Sequence, residues 1–327
     1  MILIGDCREQ LKTLSDCSVQ CCVTSPPYWG LRDYGCDGQL GLESTPDEYV
    51  ANMVAVFREV RRVLRDDGTL WLNLGDSYSG SGKGGNPEEG KQATNKGSQS
   101  IGVLYGKTGE TAREAALTNV SRRWTVEQGI APKNLIGIPW RVAFALQSDG
   151  WYLRQDIIWA KPNPMPESVR DRCTKAHEYI FLLSKNERYY FDADAIAEPS
   201  ADPVGSAKRY ESDFGGAKAE ALKATKYGNT KVCGPREFDG TRNKRSVWTV
   251  PTSPYSGAHF ATFPPALIEP CILAGCPVGG VVLDPFFGSG TVGQVCESLG
   301  RNWIGIELNA EYVKLAENRT QQMGLKI

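Results

Sequence analysis

No stretch of this 327-residue chain approaches the roughly 18 consecutive apolar residues that a membrane-crossing helix needs, so no transmembrane segment is expected. The opening residues 1–6 lack the length and the basic flank of an export signal and read as a strand. Histidine is scarce: only His177 and His259 occur, and the ten cysteines (Cys7, Cys17, Cys21, Cys22, Cys36, Cys173, Cys233, Cys271, Cys276, Cys296) form no CxxC pair. A structural zinc site is therefore not expected, and no metal is assigned. Thiols scattered through apolar runs pack as small hydrophobes, and without an export signal they point to a reducing cytoplasm. Net charge is nearly absent as well: 37 Lys and Arg against 38 Asp and Glu leave −1 at pH 7. The sum does not advertise nucleic-acid binding, so the distribution has to be examined.

What is present is an ordinary globular composition, 41% hydrophobic and 23% charged, long enough to bury a core of normal size. Short apolar runs at 1–5, 19–25 and 69–74 read as strands. Between the last two, Thr45-Pro46-Asp47-Glu48 is a helix start: Thr45 caps, Pro46 takes the first helical position and Glu48 closes a capping box. Tyr49, Met53, Val56, Phe57, Val60, Val63 and Leu64 then recur every three or four residues as one buried face, and Asp67-Gly68 is expected to end the helix. Further on the pattern predicts a helix over 139–147, strands over 152–159 and 179–183, and then helix 264–273, strand 281–286, helix 291–299, strand 303–308 and helix 310–323. Strands alternating with helices imply an α/β fold with a mostly parallel sheet covered on both faces. Two stretches fall outside this pattern. Residues 77–133, rich in Gly, Ser, Lys and Asn, read as a long mobile loop. Residues 199–247 are irregular and basic: between 201 and 248, ten Lys and Arg stand against six Asp and Glu, a local excess of four.

Asp284-Pro285-Phe286-Phe287-Gly288-Ser289-Gly290-Thr291-Val292-Gly293 joins a strand to a helix, and its glycines fit GxGxxG, with Glu307 at the end of the following strand. Glycines allow close backbone approach to a nucleoside cofactor, and the carboxylate accepts hydrogen bonds from ribose hydroxyls. A dinucleotide would use the same geometry, which keeps a nicotinamide-dependent dehydrogenase open. Asp284 tilts the choice, because a pyrophosphate avoids a carboxylate beside the helix N-terminus whereas the cationic methionine end of S-adenosylmethionine suits one.

Thr24-Ser25-Pro26-Pro27-Tyr28-Trp29-Gly30 follows the strand over 19–25. Two consecutive prolines stiffen the turn and remove two backbone donors, leaving carbonyls and the Ser25 hydroxyl as acceptors beside aromatic rings. Such a pocket fits the amino group of a base taken out of its stack. This turn resembles the (D/N/S)PP(Y/F/W) catalytic motif of DNA amino-methyltransferases. Asp284 to Thr291 is similar to that family's cofactor motif, and Gly300-Arg301-Asn302-Trp303-Ile304-Gly305-Ile306-Glu307-Leu308-Asn309 to its second cofactor strand. Ile157-Ile158-Trp159-Ala160-Lys161-Pro162-Asn163 and Ala261-Thr262-Phe263-Pro264-Pro265-Ala266-Leu267 resemble family motifs that flank the target-recognition region. With the catalytic motif ahead of the cofactor motif, the order matches the circularly permuted β-class.

The resemblance implies a Rossmann-like methyltransferase fold: a catalytic domain of 1–198 and 248–327 that carries the mobile loop, and an inserted target-recognition region at 199–247. It implies S-adenosylmethionine as cofactor and double-stranded DNA as substrate. Ser25 and the Pro26 carbonyl would hold the target amino group, with Pro27 stiffening the turn and the ring of Tyr28, rather than its hydroxyl, stacking on the base. Asp6, Asp284, Pro285, Phe286, Gly288, Ser289, Gly290, Thr291, Glu307 and Asn309 would line the cofactor site, with Phe287 packing on the ligand. Lys208, Arg209, Arg242, Lys244 and Arg245 are the DNA-contact candidates. Ser rather than Asp before the prolines favours cytosine N4 over adenine N6. Pro270-Cys271 lies in an apolar helical run and reads as core, not as the nucleophile of a cytosine-C5 enzyme. A non-enzymatic DNA-binding module is the third reading, and it would need no cofactor turn. A cognate restriction endonuclease is the expected partner, and the protein is expected to be a monomer or homodimer.

Overall fold

The computed structural model describes residues 1–31, 34–79, 130–131, 133–206, 240–252 and 263–321. Short helix α1 spans Cys7–Gln10 and α2 spans Pro46–Val63. The capping box of α2 is formed: Thr45 Oγ1 accepts from the Glu48 amide at 3.1 Å, and the Glu48 carboxylate accepts from the Thr45 amide at 3.3 Å. Tyr49, Met53, Val56, Phe57, Val60 and Val63 are fully buried, as the spacing predicts. Strands β1 (Ile2–Ile4), β2 (Val19–Thr24) and β3 (Leu64–Leu74) are followed by α3 (Ile138–Ser148), β4 (Tyr152–Ala160) and β5 (His177–Ser184). After two short strands, β6 (Glu198–Pro199) and β7 (Thr241–Arg242), come β8 (Val247–Thr249), α4 (Pro265–Gly275), β9 (Val281–Asp284), α5 (Thr291–Ser298), β10 (Asn302–Glu307) and α6 (Ala310–Gln321).

Eight strands form one sheet in the order β1-β10-β9-β2-β3-β5-β4-β8. Alternation along β3 assigns its two faces. Leu70, Leu72 and Leu74 join the core under α2 and α3, while Thr69 and Trp71 meet Gly275 of α4 on the other face. The sheet is mostly parallel with helices on both faces, the Rossmann-like architecture expected.

Two details differ from expectation. Asp67-Gly68 does not end α2: the helix stops at Val63 and the chain enters β3 at once, Leu64 pairing with Val19. Pairing resumes at Cys21 and Thr69, so Arg65 to Gly68 bulge against the single residue Gln20, with Gly68 tucked under the Arg65 carbonyl. Strand β5 runs antiparallel to both neighbours, β3 and β4. This reversal brings the first residues of β5 to the edge where its two neighbours, β3 and β4, end.

Contacts divide the chain into two compact units, one of Met1–Phe191 with Ser246–Ile327 and one of Asp192–Arg245. The first holds the sheet. The second holds the β6–β7 pair, in which Arg242 Nε donates to Glu198 at 3.0 Å. No described helix is long and apolar enough to cross a membrane. The expected loop at 77–133 lies largely outside the described residues, as do 207–239 of the expected recognition region.

Candidate active site

Five mutually parallel strands, β1, β10, β9, β2 and β3, end at one edge of the sheet. In open α/β sheets this carboxyl edge is where ligands bind. At the end of β9 the Asp284 carboxylate is almost wholly buried, and its Oδ1 accepts from Thr24 Oγ1 at 2.6 Å and from the Phe286 amide at 3.0 Å. Thr24 is the last residue of β2, so one hydrogen bond joins positions 260 residues apart in sequence. Burial pushes the Asp284 carboxyl up to about 7, against the pull of these two donors. Gly288 and Gly290 both adopt left-handed backbone, with φ of 52° and 80°. They serve different ends. A Cβ at Gly290 would lie 2.9 Å from Ala316, a packing constraint, whereas at Gly288 the nearest atom would be the Phe286 carbonyl oxygen at 4.0 Å.

At the end of β10, Glu307 accepts from the Gly288 amide at 2.7 Å and from the Asn309 amide at 2.8 Å, so its carboxylate closes the glycine turn. Burial raises its pKa. Asn309 Oδ1 accepts from the Glu311 amide at the start of α6, while Ser289 and Thr291 hydroxyls both accept from Arg319. Gly5 donates to the Glu307 carbonyl at 2.9 Å, which brings Asp6 to the same edge. Asp6 caps α1 and is gripped by Arg8, whose hydrogen bonds hold its carboxyl below the usual range. Phe286 is half-buried. Phe287 departs from its expected contact with a ligand: it stacks on Trp303 (5.0 Å between centroids, 13°) over Gly293 and Gly305, inside the fold.

The turn expected to be catalytic, Ser25 to Tyr28, follows the end of β2. Tyr49 Oη donates to the Pro27 carbonyl at 2.9 Å, and among the described residues the Pro26 carbonyl accepts nothing. The Tyr28 ring lies on Gly75, just past β3, where a Cβ would come within 2.5 Å of Tyr28 Cε2. Its hydroxyl, which the sequence reading leaves idle, lies 2.8 Å from Glu178 Oε2, 3.1 Å from Asn73 Oδ1 and 3.5 Å from Ser25 Oγ. Burial drives the Tyr28 pKa well above its ordinary value. Lys161 Nζ pairs with Glu178 Oε1 and lies 4.1 Å from the centroid of the Trp159 ring.

Sequence reasoning missed Thr24, Asn73, Lys161, Glu178 and Arg319. The available signals were the placement of Lys161 in Ile157 to Asn163 and a polar residue ending the apolar run of β3. Of the DNA-contact candidates, Lys208 and Arg209 lie outside the described residues. Arg242 is bonded to Glu198, and Arg245 Nε is 3.9 Å from the same carboxylate. Cys271 is buried, its thiol directed at the Leu267 carbonyl in the interior of α4.

Residues 19–318 match a family model described as DNA methylase, of the N6 and N4 methyltransferase kind. The type II methyltransferase M.SmaI of Serratia marcescens is 47% identical over 318 residues, covering 97% of this chain and 89% of that protein. M.Cfr9I of Citrobacter freundii, another type II methyltransferase, is 47% identical over 317 residues, covering 97% and 86%. Among solved structures, the PvuII cytosine-N4-specific DNA methyltransferase superposes with a TM-score of 0.60 at 19% identity, covering 99% of this chain and 89% of that one. A proposed DNA modification methylase from Thermus thermophilus, solved with S-adenosyl-L-methionine, gives 0.56 at 21% identity, covering 100% and 96%.

Proposed function

The chain belongs to the N6 and N4 DNA methylases, as a type II methyltransferase that depends on S-adenosylmethionine, and we propose that it methylates N4 of cytosine in double-stranded DNA. The observation that carries this reading is Ser25 in the Ser-Pro-Pro-Tyr turn at the tip of β2, where N6-adenine members of the resembled family usually carry Asp. Membership removes the dehydrogenase and the non-enzymatic module from consideration.

The residues present fit the cofactor. Gly288 is uncrowded at a left-handed backbone, Glu307 stands at the end of the second strand, and Asp284 offers a buried carboxylate. Among the described residues no hydrogen bond reaches Asp284 Oδ2, which leaves that oxygen for a cation. Asp284 would face the methionine end, Gly288, Ser289 and Gly290 would line it, and Glu307 and Asp6 would serve the ribose and adenine. When bound, S-adenosylmethionine supplies an electrophilic methyl group.

The chain's own residues supply acceptors and position. An exocyclic amino nitrogen is a poor nucleophile because its lone pair is delocalised into the ring. Ser25 Oγ and the Pro26 carbonyl accept its N–H bonds, which pyramidalises the nitrogen and localises the pair. Pro26 and Pro27 hold these acceptors rigid, and Tyr28 supplies a ring face for the extruded base. Positioning and electrostatics then account for catalysis without a covalent enzyme–base adduct. The unit Asp192–Arg245, with the basic stretch 199–247, is assigned the reading of the target site, and a cognate endonuclease cutting the same site is the matching partner.

Labelled S-adenosylmethionine incubated with genomic DNA from a host lacking the enzyme, followed by nucleoside separation, tests the reading. Label is expected in N4-methylcytosine. Recovery in N6-methyladenine would move the target to adenine, and recovery in 5-methylcytosine would refute the mechanism itself.

A further inference from the structure

Lys161 belongs to a motif, Ile157 to Asn163, that methyl transfer as described leaves without a task. Its ammonium and the Glu178 carboxylate form an ion pair at the catalytic edge, each side chain only 17% exposed. Glu178 reaches that edge because β5 runs backwards there, Trp159 of β4 pairing with Glu178. Lys175 adds a second cation: its Nζ is buried with no hydrogen-bond partner among the described residues, and Asp76 and Glu178 support its charge against burial.

Donor counting gives this cluster a direction. Lysine only donates, an ionised carboxylate only accepts, and a hydroxyl donates once. Asn73 Nδ2 donates to the Tyr179 carbonyl at 3.0 Å, which turns its Oδ1, an acceptor, toward Tyr28. Glu178 Oε2 is an acceptor at 2.8 Å. The single Tyr28 proton is therefore drawn to the Glu178 side, and its oxygen lone pairs face Ser25. Ser25 Oγ donates to Tyr28 Oη across 3.5 Å, and its own lone pairs remain for a donor arriving from elsewhere.

We propose that Glu178, oriented by Lys161, is a positioning residue that fixes the hydrogen-bond polarity of the catalytic turn, so that Ser25 Oγ meets the target amino group as an acceptor. The proposal rests on the reading of Ser25 as an acceptor for that group. It holds for cytosine N4 and adenine N6 alike.

The test is Glu178→Gln, which keeps shape. Lys161 needs an acceptor and holds the amide oxygen, so the amide NH2 turns to Tyr28; the Tyr28 proton is left to Asn73 Oδ1, and the amide competes with Ser25 for the Tyr28 lone pairs. Methyl transfer should fall about tenfold or more in kcat, as for one hydrogen bond misdirected, while S-adenosylmethionine affinity by calorimetry and the melting temperature stay near wild type. Tyr28→Phe, which removes the same link, should lose a similar factor. The double variant should be no slower than the slower single one, because both act through one hydroxyl. A Glu178→Gln enzyme at wild-type rate, or losses that multiply in the double variant, would overturn the positioning role. Should Glu178→Gln fail to fold, Tyr28→Phe at wild-type rate overturns it alone. Nucleoside analysis of the wild-type product separates this from the target reading: N6-methyladenine defeats the cytosine assignment and leaves the polarity argument intact.

Discussion

A carboxyl group held at about 7 by burial, as Asp284 is, is half protonated near neutral pH. In the unfolded chain it titrates near 3.8. Between these values the folded state retains a proton that the unfolded state has released, so this group's contribution to stability falls as pH rises from about 4 to about 7 and is level above. A cationic ligand works the other way, since it favours the ionised form. S-adenosylmethionine affinity should therefore rise with pH through about 7 and then plateau, and Asp284→Asn should flatten the profile. At about pH 8 that variant should bind roughly ten- to a hundredfold more weakly, the worth of a charge-assisted hydrogen bond. Calorimetry across the range decides, and a wild-type profile without slope refutes the placement. Tyr28 is a different case because its ring and its hydroxyl are proposed to do separate work. Tyr28→Ala removes both, and methyl transfer should drop by about ten- to a hundredfold or more from lost stacking alone, with cofactor affinity nearly unchanged. A mismatch opposite the target base should restore part of that loss, since such a base costs less to extrude.

At the scale of elements, two glycine and cap positions separate architecture from chemistry. Thr45→Ala breaks the capping box of α2 and should cost about 1 kcal/mol of stability, read as a lower midpoint in urea, with methyl transfer per folded molecule unchanged as long as Tyr49, one turn on, keeps its bond to the Pro27 carbonyl. Gly75→Ala should do the reverse. A Cβ there falls 2.5 Å from the Tyr28 ring, so the ring must shift, and methyl transfer should fall by about tenfold or more while cofactor affinity holds; an unchanged rate would mean the ring position is not critical. These elements also show what the sequence could and could not reveal. The α2 face from Tyr49 to Val63 was readable because helical spacing and a cap signal agree, and the turns after β2 and β9 were readable because prolines and glycines mark strand ends. The Thr24–Asp284 bond was not, since nothing local ties residues 260 apart. Glu178 was hidden for a sharper reason. An apolar run has no direction in space, and only the reversal of β5 places its first residues at the carboxyl edge of the parallel strands rather than at the far side of the sheet.

Over the whole molecule, a net charge of −1 has to be reconciled with a polyanionic substrate. Uniformly distributed, such a charge gives no attraction for phosphates, so affinity must come from local excess. The stretch from 201 to 248, with ten Lys and Arg against six Asp and Glu, is the strongest candidate in the sequence. Not every cation in it is available in equal measure. Arg242 is held by Glu198 at 3.0 Å, whereas Arg245 stands 3.9 Å from that carboxylate and its side chain is 69% exposed. An exposed ion pair at that distance is worth little and yields readily to a phosphate. Replacing Lys244 and Arg245 together with Gln should therefore weaken binding to every DNA sequence by a similar factor. The logarithm of affinity against the logarithm of salt should also become shallower, by about 0.9 for each phosphate no longer neutralised. Arg242→Gln should change the slope less, because its side chain is 32% exposed and held to Glu198 at 3.0 Å, against 69% exposure for Arg245. Fluorescence anisotropy on specific and random duplexes over a salt series measures both quantities. If the double variant binds with unaltered slope, the phosphate-binding cations lie outside 199–247, and the Lys-containing stretch 77–133 becomes the region to neutralise next.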